Sequence, residues 1–362
     1  MKIFTVGPVA MFPQTLEISG KQTPYFRTAD FSEVMLSTEK SILKLLNAPD
    51  GSKTVFLTTS GTGAMEASLI NLAKPQDNFL VIAGGTFGYR FSELCDIHQI
   101  KHQKLELDFG EELTQDHLEP YAGKGITGLL VNIHETSTGQ LYDAKMLGDF
   151  CRREGLLFII DAISSFLADP LDMTDVSADA IIFSSHKAMA LNPGLSCVVL
   201  SPRAYEERIL GSETKVLYLD FNNHINDMAR GQTPFTPAVD IALCMNVMLG
   251  GICDEGIDAK IAQTREIALD FRSKIEALEN ISLPNFPLSN ALTPLIFSDG
   301  KASIVHEILH SEYGLMLTPN GGELAQKVLR AGHIGNHTIA ENDEIVSAIV
   351  QIYDRSLKHE NY

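Results

Sequence analysis

Residues 156–166 of the chain have the sequence LLFIIDAISSF, in which five apolar residues run directly into a carboxylate at Asp161. Leu156–Ile160 is short and contains no polar side chain, which is typical of a strand that is buried on both faces. Strands of this kind occur in parallel sheets that helices cover from both sides. The stretch therefore predicts a central strand of an α/β domain, with Asp161 at its carboxyl end.

Similar short apolar runs recur between residues 54 and 200 and alternate with longer amphipathic stretches. Most of them run into Gly, Asp or Ser, as strands do before a turn. Ala64–Leu72 and Ala144–Glu154 are two of the intervening helix candidates. The alternation predicts an α/β fold with a mostly parallel sheet. The other predicted strands are Thr54–Thr58, Asn78–Ala83, Gly128–Ile133, Ala180–Phe183 and Ser196–Leu200.

The C-terminal third has a different pattern, in which amphipathic helices surround a stretch with several prolines. Asp258–Leu278 contains neither Gly nor Pro and predicts a long helix. Pro284, Pro287 and Pro294 follow it and indicate the crossing into a second, smaller α+β unit. The other helices predicted here are Ala238–Leu249, Ser303–His310 and Asp343–Leu357.

The 362 residues carry a formal net charge of −18 at pH 7, and their basic side chains are scattered. A protein that binds nucleic acid needs a concentrated basic face, so this balance argues against nucleic acid as a partner. No apolar run is long enough to cross a bilayer, and Met1–Pro13 lacks the pattern of a signal peptide. We therefore expect no membrane association and a cytoplasmic location. The five cysteines form no C-x-x-C pair, which argues against a zinc knuckle or a disulfide framework.

Polar residues follow the predicted strands, at the edge of the sheet where ligands of open α/β domains bind. Ser60-Gly61-Thr62-Gly63 follows one strand and opens a helix. Free backbone N–H groups and the helix dipole favour an anion at such a position, and two hydroxyls with two glycines let a phosphate approach closely. The spacing is not that of a P-loop, and by itself the stretch is also compatible with an ordinary N-capped helix.

Asp161 and Lys187 each follow an apolar strand, and both come after the phosphate cradle in the chain. A carboxylate at the end of a buried strand needs a cation, which a protonated pyridine nitrogen would supply. A lysine in an apolar pocket has a lowered pKa, forms an imine with an aldehyde and shuttles a proton between two carbon atoms. Phe87, between Gly85 and Gly88, would lie flat on the pyridine ring. Together these residues predict pyridoxal 5'-phosphate as the cofactor.

Arg330 lies in the otherwise apolar stretch 328–334, which has the sequence VLRAGHI. A guanidinium among apolar residues needs an anionic partner, and its planar fork suits a carboxylate or a phosphonate of a substrate. A structural ion pair would satisfy the same need, so the pattern is compatible with either role.

Eight short motifs follow one another along the chain, namely Gly7-Pro8-Val9, Phe26-Arg27-Thr28-Ala29-Asp30-Phe31, Thr59-Ser60-Gly61-Thr62, His134-Glu135-Thr136-Ser137-Thr138-Gly139, Asp161-Ala162-Ile163-Ser164-Ser165-Phe166, Ser185-His186-Lys187, Thr233-Pro234-Phe235-Thr236-Pro237 and Arg330-Ala331-Gly332-His333-Ile334-Gly335. In this order they resemble a class V aminotransferase of fold type I, almost from end to end. The most similar branch contains 2-aminoethylphosphonate–pyruvate and alanine– or serine–glyoxylate aminotransferases. No single motif is decisive, and their shared order makes the resemblance specific.

The resemblance implies a role for each matching residue of the cofactor site. Lys187 would carry the cofactor as a Schiff base and shuttle the proton, and Asp161 would pair with the pyridine nitrogen. Phe87 and Ile163 would pack on the two faces of the ring, and Thr136 would hydrogen-bond the ring hydroxyl. The phosphate would be held by Ser60, Gly61, Thr62, His186 and, from the partner subunit, Thr236.

The resemblance also implies the substrate site, the domains and the assembly. Arg330 would bind the substrate carboxylate, and Gly7 would line the substrate pocket. We expect an N-terminal segment at the active site (1–15), a large cofactor-binding domain with a mostly parallel seven-stranded sheet (16–250) and a small α+β C-terminal domain (251–362). Members of the family are homodimers whose active sites lie at the interface.

The substrates are predicted from departures within the motifs. The alanine–glyoxylate branch often has Trp at the position of Phe87 and Tyr at that of Thr233, and this chain has no Trp. The motifs at 135–139 and 161–166 look more like those of the aminoethylphosphonate enzymes. We therefore predict a ping-pong transfer from 2-aminoethylphosphonate to pyruvate, with alanine or serine and glyoxylate as the alternative. The two acceptors differ by one methyl group, worth about 1–3 kcal/mol in a pocket, so the choice stays open.

Two alternatives belong to other classes. A lyase with the same cofactor shares the first chemical steps, although a desulfurase would need a reactive cysteine after Cys253, where the chain has none. His306-Glu307-Ile308-Leu309-His310 matches the H-E-x-x-H motif of zinc peptidases. The third histidine of the extended motif is missing, so we expect no metal site.

Overall fold

The structure of the chain is a computed structural model that describes residues 1–359, with side chains as far as Arg355. Its helices are α1 (Pro13–Ser19), α2 (Ala29–Leu45), α3 (Gly61–Leu72), α4 (Thr86–Ile97), α5 (Gln115–Leu118), α6 (Ala144–Glu154), α7 (Pro202–Ala204), α8 (Phe221–Met228), α9 (Val239–Glu255), α10 (Ile257–Ile275), α11 (Ala302–Tyr313) and α12 (Ile339–His359). Its strands are β1 (Lys2–Ile3), β2 (Lys53–Leu57), β3 (Asn78–Ala83), β4 (Lys101–Glu106), β5 (Gly128–Asn132), β6 (His134–Glu135), β7 (Gln140–Leu141), β8 (Leu157–Asp161), β9 (Ala180–Ser184), β10 (Ser196–Leu200), β11 (Ile281–Ser282), β12 (Leu292–Phe297), β13 (Leu315–Met316), β14 (Thr318–Pro319) and β15 (Val328–Gly332). Short 3₁₀ turns lie at Glu119–Tyr121 and Gly322–Leu324, and a π-helical turn lies at Tyr205–Ile209.

Seven strands form the large sheet in the order β2-β10-β9-β8-β5-β3-β4. β10 runs antiparallel to both of its neighbours, and the other six strands are parallel to one another. This confirms the predicted α/β fold with a mostly parallel sheet. β3 and β10 have the predicted bounds, and the other predicted strands differ by one residue at one end or both.

Each face of the large sheet has its own apolar core, and successive residues of a strand belong to opposite cores. In β8, Phe158 and Ile160 pack on one face, and Leu157 and Ile159 pack on the other. Burying a side chain of this size stabilises the fold by about 1.5–3 kcal/mol. The double burial explains why this strand has no alternation of polar and apolar residues.

β4 is a strand of the large sheet that the apolar pattern does not reveal. Leu105 is the one buried side chain among its six residues, because β4 lies at the edge of the sheet and pairs with β3 alone. Six register pairs, from Asn78–Lys101 to Ala83–Glu106, hold it there. Charged side chains on such an edge oppose pairing with another chain.

β11, β12, β15 and β14 form a second, four-stranded antiparallel sheet in that order. α10 and α11 pack against it, and α12 packs against both helices. Its core, which includes Phe271, Phe297, Leu329 and Ile349, is separate from the two cores of the large sheet. This unit is the smaller α+β part that the sequence predicted. The predicted division after residue 250 falls within α9 and stays a prediction.

The N-terminal residues contact both units. β1 pairs in parallel with β13, and Phe4 belongs to the core of the small sheet. Val9 instead packs in a core of the large sheet. Between them, the Val6 carbonyl meets the Lys187 side chain near the carboxyl ends of the parallel strands.

Candidate active site

A cavity of about 240 Å³ lies at the carboxyl ends of β2, β3, β5, β8 and β9. Three other clefts are larger, at about 350, 510 and 520 Å³, but the first has no lysine in its lining and the lysines in the other two are exposed. Ten of the twelve predicted site residues line the cavity, and Arg330 and Thr236 do not. Those in the wall are Gly7, Ser60, Gly61, Thr62, Phe87, Thr136, Asp161, Ile163, His186 and Lys187.

The end of the cavity next to α3 offers free hydroxyl and backbone N–H groups. α3 begins at Gly61 with Ser60 as its N-cap, and the Ser60 side chain makes no capping hydrogen bond. The Ser60 and Thr62 hydroxyls have no hydrogen-bond partner among the described side chains and backbone. Free donors at a helix N-terminus attract an anion. The strand-to-helix turn expected from the sequence is therefore present, and its donors face the cavity.

Gly61 lies very close to Ile163 of the loop that follows β8. A Cβ atom added at Gly61 would lie 2.4 Å from Ile163 Cδ1, closer than real Cβ atoms approach. Glycine at position 61 therefore allows the N-terminus of α3 to pack against this loop. The loop is fixed in turn by the Ile163 N–H, which donates a 2.7 Å hydrogen bond to Asp161 Oδ1.

Asp161 is the last residue of β8, and its side chain is buried. Burial raises the pKa of its carboxyl to about 7, although the Ile163 N–H and the Lys187 charge both lower it. Glu135 raises the pKa further. Such a carboxyl is stable when it is protonated or when a cation lies beside it.

Lys187 follows β9, and its buried amine faces the same cavity. Nζ donates a 2.8 Å hydrogen bond to the Val6 carbonyl. Burial lowers the pKa of the amine to about 8; Asp161 raises the pKa and Arg330 lowers it. The uncharged amine is therefore more accessible near neutral pH than that of an ordinary lysine, as proton transfer or nucleophilic attack requires. A Cβ atom at Gly7 would lie 2.6 Å from Lys187 Cδ, so glycine there allows the N-terminal segment to contact the lysine.

His186 precedes Lys187 in the chain and lines the same cavity. Its Nδ1 is 3.0 Å from Ser184 Oγ, and its Nε2 has no hydrogen-bond partner among the described residues. Burial, and then the Lys187 charge, lower the pKa of the imidazole to about 4. The ring is therefore neutral at pH 7 and carries one N–H group.

Glu135 is a buried carboxylate that holds the N-terminus of α4, where Phe87 lies. One of its oxygens accepts the backbone N–H groups of Phe87 at 3.1 Å and Gly88 at 3.0 Å, together with the Asn132 side-chain amide at 2.8 Å. The other accepts the backbone N–H and the hydroxyl of Ser137, at 3.0 and 2.5 Å. An acidic group at a helix N-terminus is stabilising. Glu135 therefore fixes the place at which Phe87 enters the cavity, a role that the sequence analysis did not assign.

Arg330 lies in β15 of the small sheet and reaches the wall of the cavity. Its Nη1 donates to the Thr136 carbonyl and its Nη2 to the Pro319 carbonyl, both at 2.8 Å. Nε is buried and has no partner. The guanidinium forms no ion pair with the described side chains, which argues against a purely structural ion pair. Burial lowers its pKa to about 10, although Glu135 raises it, so the group is charged at pH 7.

Thr236 is exposed and lies apart from the cavity of its own chain. It borders a separate pocket of about 10 Å³ together with Tyr218 and Phe235, whose rings stack at 5.0 Å. This position leaves the Thr236 hydroxyl accessible from outside the chain.

Three residues of the cavity wall were not among the predicted site residues, namely Met65, His134 and Ser164. His134 and Ser164 lie within motifs that carried the resemblance, but neither their type nor their spacing assigns them a function. Met65 lies one turn into α3, where an apolar residue is typical of the core. Their position in the wall depends on how the loops after β5 and β8 fold back, which periodicity does not reveal.

Comparison with known proteins defines the class of protein. The sequence model of the family described as Aminotransferase class-V matches residues 19–340, so the chain belongs to the class V aminotransferase family. It is a pyridoxal-phosphate-dependent aminotransferase with the fold type I architecture.

Relatives match nearly the whole chain. The soluble hydrogenase 42 kDa subunit of Anabaena cylindrica is 27% identical, covering 98% of this chain and 94% of that protein. The alanine–glyoxylate aminotransferase of Oryctolagus cuniculus is 26% identical, covering 95% of this chain and 90% of that protein. Among solved structures, the subgroup IV aspartate aminotransferase of Thermus thermophilus has a TM-score of 0.90 at 24% identity, covering 98% of this chain and 99% of that one.

The donor set of the cavity suits pyridoxal phosphate. Free hydroxyls at a helix N-terminus suit a phosphate, and a buried carboxyl of raised pKa suits a protonated ring nitrogen. The Lys187 amine, held by one backbone carbonyl, suits an aldehyde. The Thr136 hydroxyl, which has no partner within the described part of the chain, is available to a ring substituent.

His306, Glu307 and His310 lie on α11, but within residues 1–355, whose side chains are described, no group of three His, Cys, Asp or Glu side chains is placed to hold a metal ion. No helix of the described chain is both long enough and apolar enough to cross a membrane.

Proposed function

We propose that Asp161 and Lys187 are the catalytic pair of this aminotransferase. The observation that carries the proposal is that both are buried in one cavity and that burial shifts their pKa values in opposite directions, toward the uncharged forms. Strongly perturbed groups that face a common cleft are typical of catalytic sites. When bound, pyridoxal phosphate supplies an aldehyde that reacts with amines and a ring that accepts electrons from a carbanion.

The phosphate would bind at Ser60, Gly61, Thr62 and His186. The hydroxyls of Ser60 and Thr62 and the N–H groups of the first turn of α3 provide donors without a competing partner. His186 adds a donor if its proton is on Nε2, since Ser184 Oγ then donates to Nδ1 across the observed 3.0 Å. A neutral ring with this tautomer meets an anion without the cost of burying another charge.

The ring would lie between Phe87 and Ile163, with Asp161 at its nitrogen and Thr136 at its hydroxyl. Asp161 Oδ1 is oriented by the Ile163 N–H, which leaves the other oxygen to hold a proton on the ring nitrogen. Lys187 Nζ, whose pKa is lowered to about 8, would take the proton from the donor carbon that bears the amino group and return it to the carbon that the cofactor's aldehyde supplies. Arg330 Nε, which has no partner, would meet the substrate anion, and Gly7 would border it.

The transfer would follow a ping-pong course from a small anionic amine to a 2-oxo acid. The alanine–glyoxylate relative supports alanine with glyoxylate, and 2-aminoethylphosphonate with pyruvate stays a prediction from the motifs. Arg330 is compatible with both donors, because carboxylate and phosphonate present similar oxygens to a guanidinium. A lyase reaction at the same cavity is the rival outcome. A cytoplasmic location also stays a prediction.

The absorbance spectrum of the purified protein tests the cofactor site and the donor together. We expect a visible band when pyridoxal phosphate is added, loss of the band with the true amino donor, and its return with pyruvate or glyoxylate. Lys187→Ala should abolish the band. Lys260→Ala is the matched control, because burial also lowers the pKa of Lys260, but this lysine lies outside the cavity. A wild-type protein without the band, or a band that survives in Lys187→Ala, would refute the proposed site.

The donor panel is 2-aminoethylphosphonate, alanine, serine and aspartate, each followed by pyruvate or glyoxylate. To establish transamination, the loss of the band with the amino donor and its return with the 2-oxo acid must each be observed separately. Release of a carbonyl product without recovery of the band by a 2-oxo acid would indicate the lyase instead.

We further propose a homodimer in which the exposed Thr236 reaches the phosphate end of the partner's cavity. Mixing Lys187→Ala with Thr236→Glu protein tests this by complementation. A mixed dimer contains one cavity with both native residues, so subunit exchange should restore activity that neither variant has alone. Absence of recovery after verified exchange would place Thr236 outside the site.

A further inference from the structure

His134 is a buried residue of the cavity wall that has no partner for either nitrogen of its ring. Its side chain is 2% exposed, and among the residues that the structure describes neither Nδ1 nor Nε2 has a hydrogen-bond partner. A buried polar group without a partner is costly, so such groups in native proteins are usually completed by a ligand or water. The ring lines the cavity of about 240 Å³. The Ser164 backbone lies near enough to raise the pKa of the imidazole, but it forms no hydrogen bond of acceptable geometry with either ring nitrogen.

The charges that act on His134 come from three cationic groups. After burial, which lowers the pKa of the imidazole to about 3, the Lys187 charge is the largest cause of lowering, and Arg272 and Arg330 add to it. The ring is therefore neutral in the working range, with one N–H donor. A small anion is the ligand that this combination of cations and a neutral donor favours.

Arg330 contributes a second free donor in the same region. Its Nη1 is fixed by the carbonyl of Thr136, two residues after His134, while its Nε is buried and unpaired. Glu135, which lies between His134 and Thr136 in sequence, accepts five hydrogen bonds from other groups. Its oxygens are therefore not available to His134 or to Arg330. Arg330 is not itself a lining residue, but through Thr136 it lies against the same cavity wall that His134 lines.

We propose that His134 and Arg330 together bind the anionic head group of the substrate, a small carboxylate or phosphonate. The inference rests on the proposed function, because it assigns the phosphate end of the cavity to the cofactor. His134 donates one N–H to a substrate oxygen, and Arg330 Nε donates to the same anion. His134 is thereby a residue that determines substrate affinity, and it needs no change of protonation state.

Binding of unreactive analogues tests the proposal without relying on turnover. Propionate and ethylphosphonate are titrated by calorimetry into protein loaded with pyridoxal phosphate, for the wild type, His134→Leu and His134→Gln. A hydrogen bond to a charged group corresponds to about a 10- to 100-fold change in the dissociation constant. We expect His134→Leu to show that loss and His134→Gln, which keeps an N–H donor, to recover part of it.

The apo-protein separates a binding role from a structural one. His134→Leu removes an unpaired polar group, so the melting temperature of the apo-protein should stay the same or rise. His333→Leu is the matched control, since His333 is equally buried but is 2.7 Å from Thr293 Oγ, and its loss should lower the melting temperature.

A double-variant cycle with Arg330→Lys measures whether the two residues hold one anion. If they do, the losses of binding free energy in the two single variants should not add up to the loss in the double variant. If His134→Leu loses affinity for only one of the two analogues, propionate or ethylphosphonate, the result supports the proposal and identifies the head group.

Equal affinity of wild type and His134→Leu for both analogues would overturn the proposal. So would a His134→Leu protein that no longer takes up the cofactor while its apo-protein melts normally, because His134 would then hold the cofactor. Failure of the proposed function is distinguishable from both, since the wild-type protein would then develop no visible band.

Discussion

Asp161→Asn should make the apo-protein more stable and the cofactor complex weaker. Burial raises the pKa of Asp161 from 3.8 to about 7. Each pKa unit corresponds to about 1.4 kcal/mol, so ionised Asp161 destabilises the folded apo-protein by up to about 4 kcal/mol at pH 8. Asparagine keeps an oxygen for the Ile163 N–H and carries no charge. The pKa of about 7 already includes the attraction to Lys187, so we expect a net gain of about 2–4 kcal/mol in the free energy of unfolding at pH 8.

The stability gained by Asp161→Asn should increase as the pH rises. The folded-state pKa of Asp161 is above the unfolded value, so the unfolded chain releases its proton first, near pH 4. Between about pH 4 and 7 the folded wild type binds more protons, and its stability falls as the pH rises. The contribution of Lys187 to stability changes with pH in the opposite direction. Its folded-state pKa is lowered from 10.5 to about 8, so stability rises again as the pH increases between those values. The apo-protein should therefore have a stability minimum from this pair at about pH 7–8.

Urea unfolding of apo wild type and apo Asp161→Asn, at pH 4.5 and pH 8, measures the difference. The gain of about 2–4 kcal/mol at pH 8 should shrink to about 1 kcal/mol at pH 4.5. Pyridoxal phosphate should stabilise the wild type more than the variant. Asp169→Asn is the control, because burial raises the pKa of Asp169 to about 6 but this residue lies outside the cavity. An equal gain at both pH values, or none at pH 8, would refute the assignment of the pKa shift to burial.

Three other substitutions have expected outcomes. Gly61→Ala should weaken pyridoxal phosphate binding about tenfold or more in equilibrium dialysis, because the new Cβ would lie 2.4 Å from Ile163 Cδ1 and overpacking costs about 1–3 kcal/mol. Gly7→Ala, at φ +131° and 2.6 Å from Lys187 Cδ, should lower the free energy of unfolding of the apo-protein by about 1–3 kcal/mol in urea. Glu135→Gln should cost about 1–3 kcal/mol in the same assay, because an amide N–H₂ replaces one acceptor among the five donors.

The parts of the fold that were predictable are those in which a strand is buried on both faces. The large apolar side chains of β3 and β8 have no alternative environment, because each of them faces one of two apolar cores. Their carboxyl ends must then meet at one edge of a parallel sheet, which places Asp161 near Lys187 without any knowledge of contacts. This is why ten predicted site residues border one cavity although they are spread over 181 positions.

The remaining features depend on contacts that leave no periodic signal. β4 is held by backbone pairing at an edge, so its side chains are polar. The contact of Val6 with Lys187 requires the N-terminus to pair first with β13 of the small unit. His134 is distinguished only by the absence of a partner, and an absence of this kind is visible in coordinates and not in a sequence.

The buried pair that makes the site reactive also links cofactor binding to stability. In the apo-protein, Asp161 and Lys187 are each held away from the charged state that water would favour, which costs free energy of folding. A protonated ring nitrogen beside Asp161 and an aldehyde bound to Lys187 would remove both costs at once. A ligand at 100 times its dissociation constant adds about 2.7 kcal/mol to stability by mass action alone. Because the apo minimum falls at about pH 7–8, the stabilisation by cofactor should be largest in that range. A cofactor effect on the melting temperature that is flat from pH 5 to pH 9 would contradict this coupling.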